Sequence, residues 1–160
     1  MTERAAKILT DPAPSPAPST SQRRRTAARA AVEPSRAQIV AAARAERPPL
    51  EVARRIVEVV EDKKAADIVL LDLAGVTTMA DYFVICSGGS ERQLEAIANG
   101  VIDELRAEGV RPIGREGEPA SHWILVDFGS VIVHAFTPPE RDYYELEKHW
   151  SEARTILRVQ

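Results

Sequence analysis

The sequence predicts an α/β domain built on a mixed β-sheet packed with helices. Three observations carry this reading. Apolar residues recur at helical spacing in two stretches, from Leu50 to Val60 and from Leu94 to Leu105. Two short runs, Asp67–Leu73 and Asp81–Ser87, are rich in apolar, β-branched and aromatic residues. The stretch His122–Phe136 reads as a hairpin around Gly129-Ser130. The order helix, two strands, helix, strand, hairpin, helix then gives a sheet of mixed direction.

Each element has its own signature. Residues 35–46, alanine-rich around Ile39-Val40, favour a helix that Pro48-Pro49 interrupts. Leu50, Ala53, Ile56, Val57 and Val60 mark the next helix, which ends near Lys63-Lys64, cations suited to a helix C-terminus. The two strands follow, joined through Gly75 and the adjacent threonines. Cys86-Ser-Gly-Gly-Ser then leads into a helix whose Ser90 and Gln93 stand at capping-box spacing, and Gly109 closes it. A short strand is expected over residues 110–113, and the glycine and proline segment Gly114–Ser121 is expected to be a mobile loop. After Pro138-Pro139 a last helix, about Glu140–Ser151, would set Tyr143, Leu146, Glu147 and Trp150 on one side.

The hairpin sorts its residues onto two faces. With a two-residue turn of the primed type, which glycine at the first position permits, Phe128 sits opposite Val131. Ile124, Val126, Phe128, Val131, Val133 and Ala135 then share a face without a polar atom, fit to pack on helices. The other face is mixed: Trp123, Leu125, Asp127, Ile132, His134 and Phe136, with Leu125 opposite His134 and Trp123 opposite Phe136. Aromatics do not belong on a wet face. Either a further element covers them or a partner does, since aromatic residues with a few polar groups are the usual core of an interface.

Composition bounds the class. A chain of 160 residues, 44% hydrophobic and 28% charged, suits one soluble globular domain. Residues 1–48 hold nine Lys/Arg against four Asp/Glu, net +5, and residues 49–160 hold twelve against twenty, net −8. An acidic domain behind a basic tail argues against direct sequence-specific nucleic-acid binding and favours a basic protein partner. Residues 1–48 read as a disordered Pro/Ala/Arg-rich tail, and residues 49–160 as the folded domain. The tail's Arg, Ala and Ser content is that of an organelle transit peptide. Four prolines between Pro12 and Pro18, however, oppose an amphipathic presequence helix, which favours the bacterial cytosol. No apolar run approaches the length of a membrane span, and Cys86, the single cysteine, excludes an intrachain disulfide.

Catalytic readings find little support. Gly88-Gly89-Ser90 at a helix N-terminus could hold a phosphate, and nucleotidyltransferases follow such a turn with a spaced carboxylate pair for magnesium. That pair is missing: Asp103-Glu104 are adjacent on a helix, and Asp127 is followed by Phe128-Gly129. Cys86 with His134 or His122 could make a thiol nucleophile and base, although cysteine late in an apolar strand is more often a core residue. His122, His134 and His149 do not stand at metal-ligand spacing. No catalytic residue, cofactor or metal is therefore expected.

Asp81-Tyr-Phe-Val-Ile-Cys-Ser-Gly, Ser90, Arg92, Glu116-Gly117, Trp123-Ile-Leu-Val-Asp-Phe-Gly, Val131-Ile-Val-His-Ala-Phe136 and Tyr144-Glu-Leu-Glu-Lys-His-Trp150 together resemble the ribosomal silencing factor family, RsfS or Iojap. The resemblance covers about Leu50–Ser151. It implies a nucleotidyltransferase-like fold without the catalytic residues, in a factor that binds the large ribosomal subunit at its universally shared protein fourteen. By blocking small-subunit docking, such a factor represses translation when nutrients are short. The resemblance also allows a homodimer. The sequence departs from the family pattern at Ser130, where Asp is usual, and at His149, where Leu is usual. On this reading the partner site comprises Trp123, Leu125, Asp127, His134 and Phe136, bordered by Tyr143, Tyr144 and Glu147.

Overall fold

The computed structural model describes residues 34–39 and 47–160. The expected tail therefore lies outside the described residues, except for a helical turn at 36–39 and the approach to the first helix. Helix α1 (Pro49–Asp62) starts on a proline, whose fixed φ suits the first helical position, and buries Val52, Ala53, Ile56, Val57, Val59 and Val60. Strands β1 (Ala66–Asp72) and β2 (Tyr82–Ser87) follow, then helix α2 (Glu91–Ala107). Ser90 caps α2 by accepting from the Gln93 amide at 3.1 Å. The Gln93 side chain returns the bond one residue earlier than a capping box does, taking the Gly89 amide at 2.7 Å.

Strands β3 (Gly114–Glu116), β4 (Trp123–Asp127), β5 (Val131–Phe136) and β6 (Arg154–Val159) complete a six-stranded sheet of order β3-β4-β5-β2-β1-β6. Only the β2–β5 pair is parallel, so the sheet is mixed, as the element order predicts. The hairpin has the expected register. Leu125 pairs with His134 and Trp123 with Phe136. Gly129 sits at φ +88°, and the Phe128 amide donates to the Val131 carbonyl at 2.9 Å. The aliphatic face of the hairpin packs with β1, β2, α1 and α2 in one core cluster.

Three local expectations are corrected, and one strand is added. The strand expected at 110–113 begins instead at Gly114, because Pro112 has no amide to offer a ladder. The segment 114–121 is not loop throughout: β3 pairs with β4, and a 3₁₀ turn (Pro119–Ser121) follows. Gly117, at φ +83°, passes so close over Trp123 that a Cβ there would lie 2.2 Å from its carbonyl oxygen. The final helix is broken into α3 (Pro138–Tyr144) and α4 (Leu146–His149) by Glu145, which takes a left-handed backbone at φ 45°. Strand β6 was not anticipated at all. Its alternation is blurred by an edge position with one neighbour, β1, and partly exposed side chains.

Candidate functional site

The mixed face of the hairpin is covered by the chain itself. Trp123, Leu125, His134 and Phe136 are fully buried and Asp127 is 1% exposed. Their cover is a second core cluster that adds Val69, Leu71, Leu73, Ala80, Phe83, Ile85, Leu146 and Trp150, with Val76, Met79 and Tyr144 packed against it. The expectation that a partner meets these five side chains directly is thus corrected: the segment after β1 and the α3–α4 turn pack against the ring cluster, and Asp127 is met by Arg36 and the Gly129 amide.

Inside this cover the aromatic rings form a stack. Trp123 lies 4.7 Å from Phe136 and 4.6 Å from Tyr144 between ring centroids. Its indole N–H donates to His134 Nδ1 at 3.2 Å, which places the imidazole proton on Nε2. Burial pushes the His134 pKa down to about 3, so the ring is neutral. Tyr144 then passes the stack outward, edge to face, to Tyr143 at 5.0 Å. Tyr143 is 78% exposed. The break at Glu145 is what separates it from Leu146 and Trp150, which turn inward, so the four residues expected along one helix side do not share one.

Arg141 fixes this outer segment. Its Nη1 donates to the Asp67 carbonyl at 2.6 Å and to Ser87 Oγ at 2.8 Å, while its Nε donates to Glu147 Oε1 at 2.7 Å. One guanidinium thereby ties α3 to α4 and to the ends of β1 and β2. The β1 carbonyl it takes belongs to Asp67, held at φ 48° where the ladder of β1 slips. No sequence spacing announces Arg141. The expected residue Glu147 is its ion-pair partner, with its side chain one third exposed.

Asp127 closes the hairpin. Its Oδ1 accepts from the Gly129 amide at 2.7 Å, and its Oδ2 receives Arg36 Nη1 at 2.7 Å. Arg36, in the stretch expected to be a tail, is a second functional candidate that sequence reasoning missed.

The geometry bears on the catalytic alternatives. On β2, Ile85 is the neighbour of His134 and Cys86 that of Ala135, so Cys86 and His134 point to opposite faces of the sheet. Burial also raises the Cys86 thiol to about 12, far from a reactive thiolate. The Gly88 amide donates to the Phe136 carbonyl at 2.8 Å and the Gly89 amide to Gln93 at 2.7 Å, so the chain itself uses the amides of both glycines in that turn. Among the described residues no three His, Cys, Asp or Glu side chains gather as a metal site requires.

Comparison with known proteins places the chain. The family model described as "Ribosomal silencing factor during starvation" matches residues 45–160. A ribosomal silencing factor of Bacillus subtilis is 45% identical over 93 residues, covering 58% of this chain and 79% of the relative. The mouse protein named for mitochondrial assembly of the ribosomal large subunit is 34% identical over 99 residues, covering 60% of this chain and 43% of its own length. Among solved structures, a Chromobacterium violaceum protein superposes with a TM-score of 0.64 at 37% identity, over 66% of this chain and 88% of that one. With more than half of its length matched by the model, this chain belongs to the ribosomal silencing factor family.

Proposed function

We propose that this chain is a non-catalytic cytoplasmic repressor of translation that binds the large ribosomal subunit at its universally shared protein fourteen and sterically prevents the small subunit from docking. The observation that carries the reading is Tyr143, an exposed aromatic ring braced by a buried stack, on a domain that matches the silencing factor family from residue 45 to 160. A rigid aromatic loses little conformational entropy when covered and is a common binding hot spot. Tyr143, the outer edge of Tyr144 and Glu147 make the contact. Trp123, Leu125, His134 and Phe136 support it from beneath, holding α3 in place.

The acidic balance of residues 49–160, net −8, suits a cationic ribosomal protein. The relatives' names point the same way, one being a silencing factor and another a protein of large-subunit assembly. Cosedimentation of the full chain with purified large subunits tests the proposal, together with light scattering of subunit reassociation. Retention with the large subunit and suppressed joining are expected. A chain that stays in the supernatant, or that turns over nucleoside triphosphate in the presence of magnesium, defeats it.

A further inference from the structure

We infer that Asp127 and the Met79 carbonyl form a guanidinium socket, occupied in cis by Arg36, which docks the segment 34–39 onto the end of the β4–β5 hairpin. A carboxylate 1% exposed needs donors on its oxygens, and it has them on both sides: the Gly129 amide on Oδ1 and Arg36 on Oδ2, each at 2.7 Å. The same guanidinium turns Nη2 toward the Met79 carbonyl at 3.4 Å. A planar fork can serve two acceptors at once in this way, whereas an ammonium acts as a point charge.

The segment is built to present Arg36. Ser35 and Gln38 cap the helical turn reciprocally, the Ser35 amide donating to Gln38 Oε1 at 2.8 Å and the Gln38 amide to Ser35 Oγ at 3.3 Å. Beyond Arg36 the same turn borders a groove of about 380 Å³, where Pro34, Gln38 and Ile39 face Val52, Val110 and Phe128. The charge split favours the contact at longer range, since residues 1–48 carry net +5 and residues 49–160 net −8. Arg36 precedes residue 45, where the family match begins, so the docked segment is an addition to the shared domain. Asp127 is consequently engaged by the chain's own arginine, and a cationic partner that takes the same oxygen must displace Arg36.

Limited trypsin digestion of the full chain reads the socket directly. The protease must take the side chain at position 36 into its own pocket before it cuts the bond to Ala37. In Asp127→Asn that bond should be cut at least about tenfold faster than in the parent, the factor set by losing a charge-assisted hydrogen bond. Arg36→Lys leaves the domain untouched and should also be cut faster, against trypsin's own preference for arginine. Continued protection of the bond after Arg106, inside α2, reports an intact domain. If Asp127→Asn loses that protection, the Arg36→Lys comparison alone decides. Cutting after position 36 as fast in the parent as in Arg36→Lys overturns the socket.

Discussion

Burial holds His134 neutral, and that makes stability depend on pH with a definite sign. Its folded pKa is depressed to about 3 from the ordinary 6.5, so the unfolded chain takes up a proton at a higher pH than the folded one. The stabilisation is complete above pH 6.5. It is lost as pH falls from there toward 3, at up to about 1.4 kcal/mol per pH unit for a single proton. Urea midpoints measured between pH 7 and pH 4 should fall accordingly for the parent and more shallowly for His134→Gln, whose amide still offers Trp123 an acceptor. Equal slopes would show that His134 is not the group responsible. Trp150 and Phe83 lie in the same cluster as the imidazole, with Phe83 4.7 Å from His134 between ring centroids, so a charged ring there has little to solvate it.

At the scale of elements, the hairpin was legible because its signals are local: a glycine at the turn and a period of two on either side. The helices were legible for the same kind of reason, with apolar stripes at three-and-four spacing. What the sequence hid depends on tertiary contacts. The α3–α4 break rests on Glu145, a residue without strong preference for the left-handed backbone, and its partner contacts come from Arg141 across the ends of β1 and β2. Strand β6 needs β1 as its neighbour to be recognised. Glycines sharpen the point. Gly117→Ala should destabilise the fold by more than about 1 kcal/mol, because a Cβ would meet the Trp123 carbonyl oxygen at 2.2 Å and the φ of +83° is strained for any side chain. Gly100→Ala should instead cost nothing or stabilise by up to about 1 kcal/mol, since it lies inside α2 and its obstacle is the flexible Lys63 side chain at 2.5 Å. Thermal melts of the two variants check both directions; a Gly117→Ala chain as stable as the parent would mean that the loop over Trp123 moves freely.

The whole molecule divides its labour between the two faces of one sheet. Helices α1 and α2 close one side with aliphatic residues, while the other is closed by short turns that carry an aromatic stack from His134 out to Tyr143. The ribosome-binding surface proposed for the second side requires that the interior residues set the position of the exterior ones, and this separates two substitutions that sequence alone would treat alike. Trp123→Ala removes a fully buried indole that packs on Phe136 and Tyr144, so it should cost about 3 to 5 kcal/mol of stability and lower the melting temperature sharply. Tyr143→Ala removes a ring 78% exposed and should change stability by no more than about 0.5 kcal/mol. If Tyr143 is the anchor on the large subunit, the same change should weaken binding by more than about tenfold, the cost of truncating a hot-spot residue. Cosedimentation of Tyr143→Ala, Trp123→Ala and the parent, well below the lowest melting temperature of the three, checks the assignment. A Tyr143→Ala chain that binds large subunits as tightly as the parent would move the contact to a different surface of the domain.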